Sequence, residues 1–397
     1  MRSSSELLRF KGIRVIAFPL SGMLCLSMFR ISIGVLIPEV ARDFPIKGVE
    51  VGLVLSAYLG AMALVMAFGG YTSDRIGDRE AMCSGMALMA LGILLGGVSK
   101  SFNALLASIF VAGIGAGVFT PSLYAYIGGV QPRRRGLLAG ITNSAYAFGG
   151  FLGPPIFALL ASGYGWRLPL MVFGVLSLVC AAAIFTVPCI RRRDVVKAGA
   201  SFRSVLRVRG VIPIASALAI ANIGFVSSTA WVPKFLVDAG GFTIVNAGLA
   251  FGLYSLSGGI GSIVLGWLSD RLDRSKVISS TSMAAAFLAM IYYVEVIRGL
   301  PTAALMAFSA ILGFLSFAYW NLSIAAAQDL ADSSLFGSVT GLVQDTALIS
   351  AAAAPIISGG LISLMDMSSA LIVSVSIPYL AHGLIFASYG LKTRLRR

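Results

Sequence analysis

Charge is what this chain lacks most. Asp, Glu, Lys and Arg together make up 12% of its 397 residues, about half the quarter that soluble domains carry. A soluble enzyme, a disordered chain and a nucleic-acid module are excluded on that ground. Histidine occurs once, at His382, and the four cysteines (Cys25, Cys83, Cys180, Cys189) stand singly, with no CxxC pair. A zinc site or a disulfide framework has no ligands at a suitable spacing, so the thiols read as small buried apolar groups. No GxSxG or HExxH string occurs, and no span holds paired acids. No catalytic residue, metal or cofactor is therefore expected, and the chain does not read as an enzyme.

Apolar residues are what it has in excess: 58% are hydrophobic, and the mean hydropathy is +0.92. The net charge of +14 would point to nucleic acid in a soluble protein. In a membrane protein the same excess belongs to basic loops on the cytoplasmic side. Hydropathy decides for the membrane, with lipid as a partner and no nucleic acid. The basic N-terminus (Arg2, Arg9, Lys11, Arg14) feeds an apolar stretch of over 20 residues. That stretch is too long for the core of a cleaved signal peptide and reads as a retained first span.

A helical crossing takes about 20 apolar residues, and with short loops this length holds about twelve. The pattern places them near 15–38, 50–70, 81–99, 103–128, 137–162 and 168–188, then 211–237, 247–268, 277–297, 302–325, 336–364 and 369–391. A basic stretch, 191–210, divides the chain into halves of six spans, 1–190 and 211–397. With both termini cytoplasmic, the inner segments hold 23 of the 30 Lys and Arg residues. The outer ones hold six: Arg42, Lys47, Lys100, Arg167, Lys234 and Arg298. That asymmetry predicts a multi-pass protein of the cell inner membrane with both ends inside.

An internal repeat supports the division. After the second span the chain reads GYTSDRIGDR, from Gly70 through Asp74, Arg75 and Gly77 to Arg79. After the eighth it reads GWLSDRLDR, from Gly266 through Asp270 and Arg271 to Arg274, 196 residues later. A short turn between spans is often glycine-rich and charged, but two copies in register point to duplication. The inferred role is a latch that gates transport. A carboxylate such as Asp74 near a helix N-terminus gains about 0.3–1 kcal/mol from the dipole, in a contact made in one conformation and broken in the other.

These loops resemble the G-x-L-A-D-R-x-G-R-K signature of the major facilitator superfamily, and the resemblance covers the whole chain. Asp78 stands where that family usually has a basic residue, and Asp273 where it has glycine. The resemblance implies an all-α integral membrane fold, with twelve transmembrane helices in two pseudo-symmetric six-helix bundles. The fifth span, Gly149-Gly150-Phe-Leu-Gly153-Pro154-Pro155, is similar to the G-x-x-x-G-P element of drug antiporters. Close helix packing through small residues with a proline kink accounts for it equally.

Arg30 lies near the middle of the first span, with Ser27 and Gly34 on its helical face. Pro38, near the outer end, is eight residues away, about 12 Å by helical rise, too far for easy snorkelling. A guanidinium at that depth needs water, a counter-charge or a ligand. It can fork two hydrogen bonds onto a carboxylate, or pair with an intramembrane acid, for which Asp345 in the eleventh span is the candidate. The two roles are compatible. The run Arg30 to Pro38 and the segment Trp231-Val-Pro233-Lys-Phe-Leu resemble the first and seventh spans of the superfamily's anion:cation symporters, which implies that Arg30 binds an organic anion. Phe29 stands where many of those symporters have an acid, and the fourth span contains no Glu.

By the same resemblance, spans one, four, seven and ten line the cavity, flanked by two, five, eight and eleven. The candidate substrate contacts are Tyr58, Tyr124, Asn143 and Tyr146 in the first half. In the second they are Asn222, Tyr254, Tyr319, Asn321 (beside Trp320) and Gln344. Any one aromatic is more often packing than lining. Asp345 is the candidate proton carrier, its alternative being an Asp bonded to nearby Ser or Thr. Glu295 and Asp238 read as solvated span ends, and His382 as a packed or lipid-edge residue. The reading is a monomeric secondary active transporter of a small organic anion, working by alternating access with a proton as candidate coupling ion. The alternative is a multidrug or lipid efflux antiporter.

Overall fold

The computed structural model describes residues 12–130, 135–189, 206, 208–331 and 336–394. Among them there is no strand, and twelve helical stretches are long and apolar enough to cross a membrane. In hydrocarbon a helix alone satisfies every backbone polar group within its own segment, so runs of this composition have one stable answer. The first half contributes α1 (Gly12–Asp43), α2 (Val49–Ile76), α3 (Asp78–Gly97), α4 (Phe102–Val130), α5 (Arg135–Tyr164) and α6 (Arg167–Phe185). The second opens with α7 (Val211–Asp238), α8 (Ile244–Arg271) and α9 (Arg274–Ile297). Its tenth span is broken at Phe317 into α10 (Thr302–Ser316) and α11 (Ala318–Gln328). After α12 (Phe336–Leu364), the last span runs through α13 (Met367–Leu371), a π-helical turn (Ile372–Ser376) and α14 (Ile377–Arg394).

Helix starts follow local chemistry. The Thr243 hydroxyl accepts from the Asn246 amide at 3.2 Å to open α8, and Asp273 accepts from the Lys276 amide at 3.3 Å to open α9. Asp366 accepts from the Ser369 amide at 2.8 Å, a bond that holds its carboxyl below the usual carboxylate range. Asp273 thus departs from the glycine of the family pattern because it caps the next helix. Leu159, Ile263, Ile349 and Leu364 are 64 to 83% exposed, a surface suited to lipid rather than water.

Packing groups the residues into two compact units. The first comprises 1–32 and 57–196, and the second 33–56 and 197–397. In the first, α3 and α4 meet backbone to backbone. A Cβ on Gly92 or Gly115 would collide with the amide nitrogens of Ala112 and Met89 respectively, which is the close approach that small residues permit between membrane helices.

In the second unit, the hairpin 33–56 lies against α7 and α12. Gly34 abuts the Thr229 carbonyl, and Gly52 abuts that of Pro355. The Trp231 indole N–H donates to the same Pro355 carbonyl at 3.1 Å. The repeat assigns this hairpin to residues 1–190, whereas packing groups it with the later spans. Most of the 191–210 linker lies outside the described residues.

Candidate functional site

In the first unit, α5 fits tightly along α1. A Cβ on Gly149 would press the Leu24 carbonyl and sit 2.8 Å from Ser27 Cβ, and one on Gly153 would come 2.6 Å from the Met28 carbonyl. The small residues that resemble an antiporter element are thus used in helix packing. The approach lets the Ser27 hydroxyl donate to the Tyr146 carbonyl at 2.5 Å and brings the Tyr146 ring beside Arg30. The guanidinium carbon stands 5.9 Å from the ring centroid, at the outer limit of a cation–π contact.

Three more candidates gather there. Tyr58, on α2, sets its ring edge-on to Phe29 at 5.6 Å. Its side chain is 0% exposed, and among the described residues its hydroxyl has no hydrogen-bond partner. Tyr124, on α4, donates to Asn143 Oδ1 at 3.1 Å, and both side chains are exposed. The first unit therefore assembles Arg30, Tyr58, Tyr124, Asn143 and Tyr146 from four helices.

Arg30 itself is half-buried. Among the described residues of its own unit it has no carboxylate within ion-pair distance, and its guanidinium stands by the Tyr146 ring. It is also the one described basic side chain more than two turns from either end of its helix. What this cluster can do chemically is bind a negative group. The guanidinium offers its N–H fork, the phenol an unused O–H, and the exposed amide–hydroxyl pair further polar contact.

The second unit uses its polar residues differently. Asn222 donates from Nδ2 to the Ala347 carbonyl at 2.6 Å and accepts the Tyr319 hydroxyl at 2.7 Å. The Ser316 hydroxyl donates to Tyr254 at 2.8 Å. All three sequence candidates are buried and bonded inside this unit. Asn321 is exposed and Gln344 half-buried. Asp345 is exposed on α12, with no ion pair or hydrogen bond among the described residues. His382, expected to be a packed or lipid-edge residue, is buried with Nδ1 2.8 Å from the Ser282 hydroxyl and Nε2 2.9 Å from that of Ser323. Among the described residues no group of three His, Cys, Asp or Glu could hold a metal.

The two repeated loops also diverge. In the second, the Arg274 guanidinium binds Asp270 at 3.1 Å and Asp329 at 2.9 Å, while Arg271 stacks on the Trp267 ring at 4.1 Å. Asp329 went unnoticed in the sequence because it lies 55 residues on, at the end of another span. In the first, Gly77 takes φ +100, a backbone conformation suited to glycine. Arg79 binds the adjacent Glu80 at 2.5 Å and donates to the Val187 carbonyl at 3.4 Å. Arg75 is exposed. The side chain of Asp74 and the surroundings of Gly70, the counterpart of Gly266, lie outside what the structure describes.

The family model described as Major Facilitator Superfamily matches residues 20–355 and 247–394. The relative named "Probable sulfoacetate transporter SauU" in Cupriavidus necator is 26% identical over 280 residues, covering 64% of this chain and 65% of that protein. The chain thus spans just under two thirds of that relative's length. The Hexuronate transporter of Bacillus subtilis is 22% identical over 83% of each chain. The Quinolone resistance protein NorA of Staphylococcus aureus is 25% identical over 40% of this chain and 42% of its own. The crystal structure of a bacterial homolog to the human lysosomal transporter Spinster matches with a TM-score of 0.77 at 15% identity, over 97% of each chain. That likeness shows the fold alone.

Proposed function

The chain belongs to the major facilitator superfamily, whose members are transporters rather than enzymes, and from that premise we propose that it carries a small organic anion by alternating access. Arg30 is the anchor. The observation that supports this is a guanidinium at mid-span with no carboxylate of its own unit at ion-pair distance among the described residues. Inserting Arg at a helix centre costs about 2.5–3.5 kcal/mol, an expense a transporter recovers when a negative solute binds there. The relatives named for sulfoacetate and hexuronate point the same way.

Asp345 is the candidate coupling group, since it is the one described acid more than two turns from a helix end. The distribution of basic residues supports both termini being cytoplasmic. In this scheme the Arg274–Asp270–Asp329 cluster acts as a latch on one conformation. The resemblance to NorA favours drug efflux as a second reading.

Uptake by reconstituted protein tests the anchor. Arg30→Lys keeps the charge but loses the planar fork. Losing one charged hydrogen bond should lower uptake about tenfold to a hundredfold, and Arg30→Gln should abolish it. Wild-type uptake by Arg30→Lys would overturn the assignment.

A further inference from the structure

We propose that the first unit contains a chelating site for one soft divalent metal ion of the mercuric type, formed by the thiolates of Cys25 on α1 and Cys180 on α6. The site lies within a single unit and is independent of the anion reading above. Its ground is an exchange of partners between the two helices. Cys25 Sγ lies 3.2 Å from the Ser177 hydroxyl on α6, and Cys180 Sγ lies 3.7 Å from the Ser21 hydroxyl on α1. Ser21 and Cys25 are one turn apart on α1, and Ser177 and Cys180 are one turn apart on α6. The four side chains therefore form two rungs between antiparallel helices. The cysteines occupy opposite corners of that cluster, and their thiols act directly on each other.

Cys25 is 1% and Cys180 7% exposed, so net charge decides what can bind between them. A mercuric ion that enters as its neutral dichloride displaces both thiol protons, forms two mercury–sulfur bonds and releases two molecules of hydrogen chloride. The site is neutral before and after. A monovalent ion held by two thiolates would leave one buried negative charge, which is strongly unfavourable. Zinc carries the right charge but takes four ligands in structural sites, and among the described residues no group of three His, Cys, Asp or Glu could supply them. Thiolates prefer soft ions. Two collinear metal–sulfur bonds of about 2.3 Å together span about 4.6 Å, within the roughly 5 Å of one helical turn that separates the rungs. Loss of the thiol protons orphans neither serine, because Ser21 and Ser177 donate to the Phe18 and Phe173 carbonyls of their own helices, each at 2.8 Å.

Mercuric chloride titrated into the full-length Cys83→Ser/Cys189→Ser protein, which keeps only this pair of the four cysteines, tests the site in competition with free cysteine. Native mass spectrometry should count one ion per chain, and proteolysis should release the peptides of Cys25 and Cys180 joined through one mercury. Methylmercury, which has a single bond to give, should add twice per chain without joining them. A further Cys180→Ser substitution should raise the half-saturating mercuric concentration at least about a hundredfold, the scale of gain from a second tethered ligand. Two mercuric ions per chain would overturn the site, as would an affinity unmoved by Cys180→Ser. The joined peptides can also be sought in wild-type protein, so the test stands even if the variants fail to fold, and their absence there would overturn the site equally.

Discussion

Replacing Asn222 with alanine distinguishes a packing role from a solute contact in the second unit. Its amide donates to the Ala347 carbonyl at 2.6 Å and accepts the Tyr319 hydroxyl at 2.7 Å. Alanine deprives that hydroxyl of its acceptor in a site 5% exposed, and an orphaned buried polar group costs about 1–3 kcal/mol. Tyr319→Phe makes the complementary cut and leaves Asn222 Oδ1 without its donor. The double variant has neither orphan, so its loss of stability should fall short of the sum of the single losses. The expected shortfall is about 0.6–1.7 kcal/mol, the range of interhelical hydrogen bonds in membranes. Unfolding by SDS titration in mixed micelles measures all three variants, with glucuronate binding followed alongside. Non-additive stabilities and unchanged affinity are the expected outcome. Additive losses, or an affinity that falls while stability holds, would refute it.

Two further outcomes follow from the geometry. Asp329→Asn removes an exposed partner of Arg274, and since such pairs contribute about 0–1 kcal/mol, the melting temperature should barely move while uptake slows; unaltered uptake would deny the cluster a gating role. Gly52→Leu drives a side chain into the Pro355 carbonyl, so the hairpin 33–56 can no longer seat on α12. Uptake should collapse, and wild-type uptake by this variant would contradict the packing.

The spans were legible because hydrocarbon leaves a chain few choices. A long apolar run must be a helix, and the run itself marks where it lies. Arg30 was legible for the opposite reason, as the charge that such a run should not contain. Asn222 and Tyr319 were not, since a polar residue at mid-span serves equally to meet a solute or to bond another helix. The choice depends on which helix faces it, and periodicity within one helix carries no register between two. Asp329 was hidden because an acid at a helix end looks solvated until its partner, 55 residues earlier, is placed beside it. The hairpin 33–56 is grouped in two ways, since duplication assigns residues to halves by descent, while packing assigns them by contact.

The lone guanidinium also constrains the energetics of transport. On the proposed anchoring role, and with no acid of its own unit paired to Arg30 among the described residues, the empty anchor carries one positive charge, and a bound monoanion brings it to zero. A loaded site of zero charge does no work against the membrane potential as it changes access, whereas a dianion leaves one negative charge, worth about 2.3 kcal/mol per 100 mV if it crosses the whole field. The empty, charged site must make the return. If Asp345 takes up a proton with the solute and releases it on the other side, each full cycle moves no net charge. If it does not, each cycle moves one negative charge, and uptake should respond to an imposed potential. Uptake driven by a potassium diffusion potential therefore separates the two: a rate indifferent to the potential together with a dependence on the pH gradient assigns coupling to the acid on α12, and the reverse pattern removes Asp345 from the mechanism.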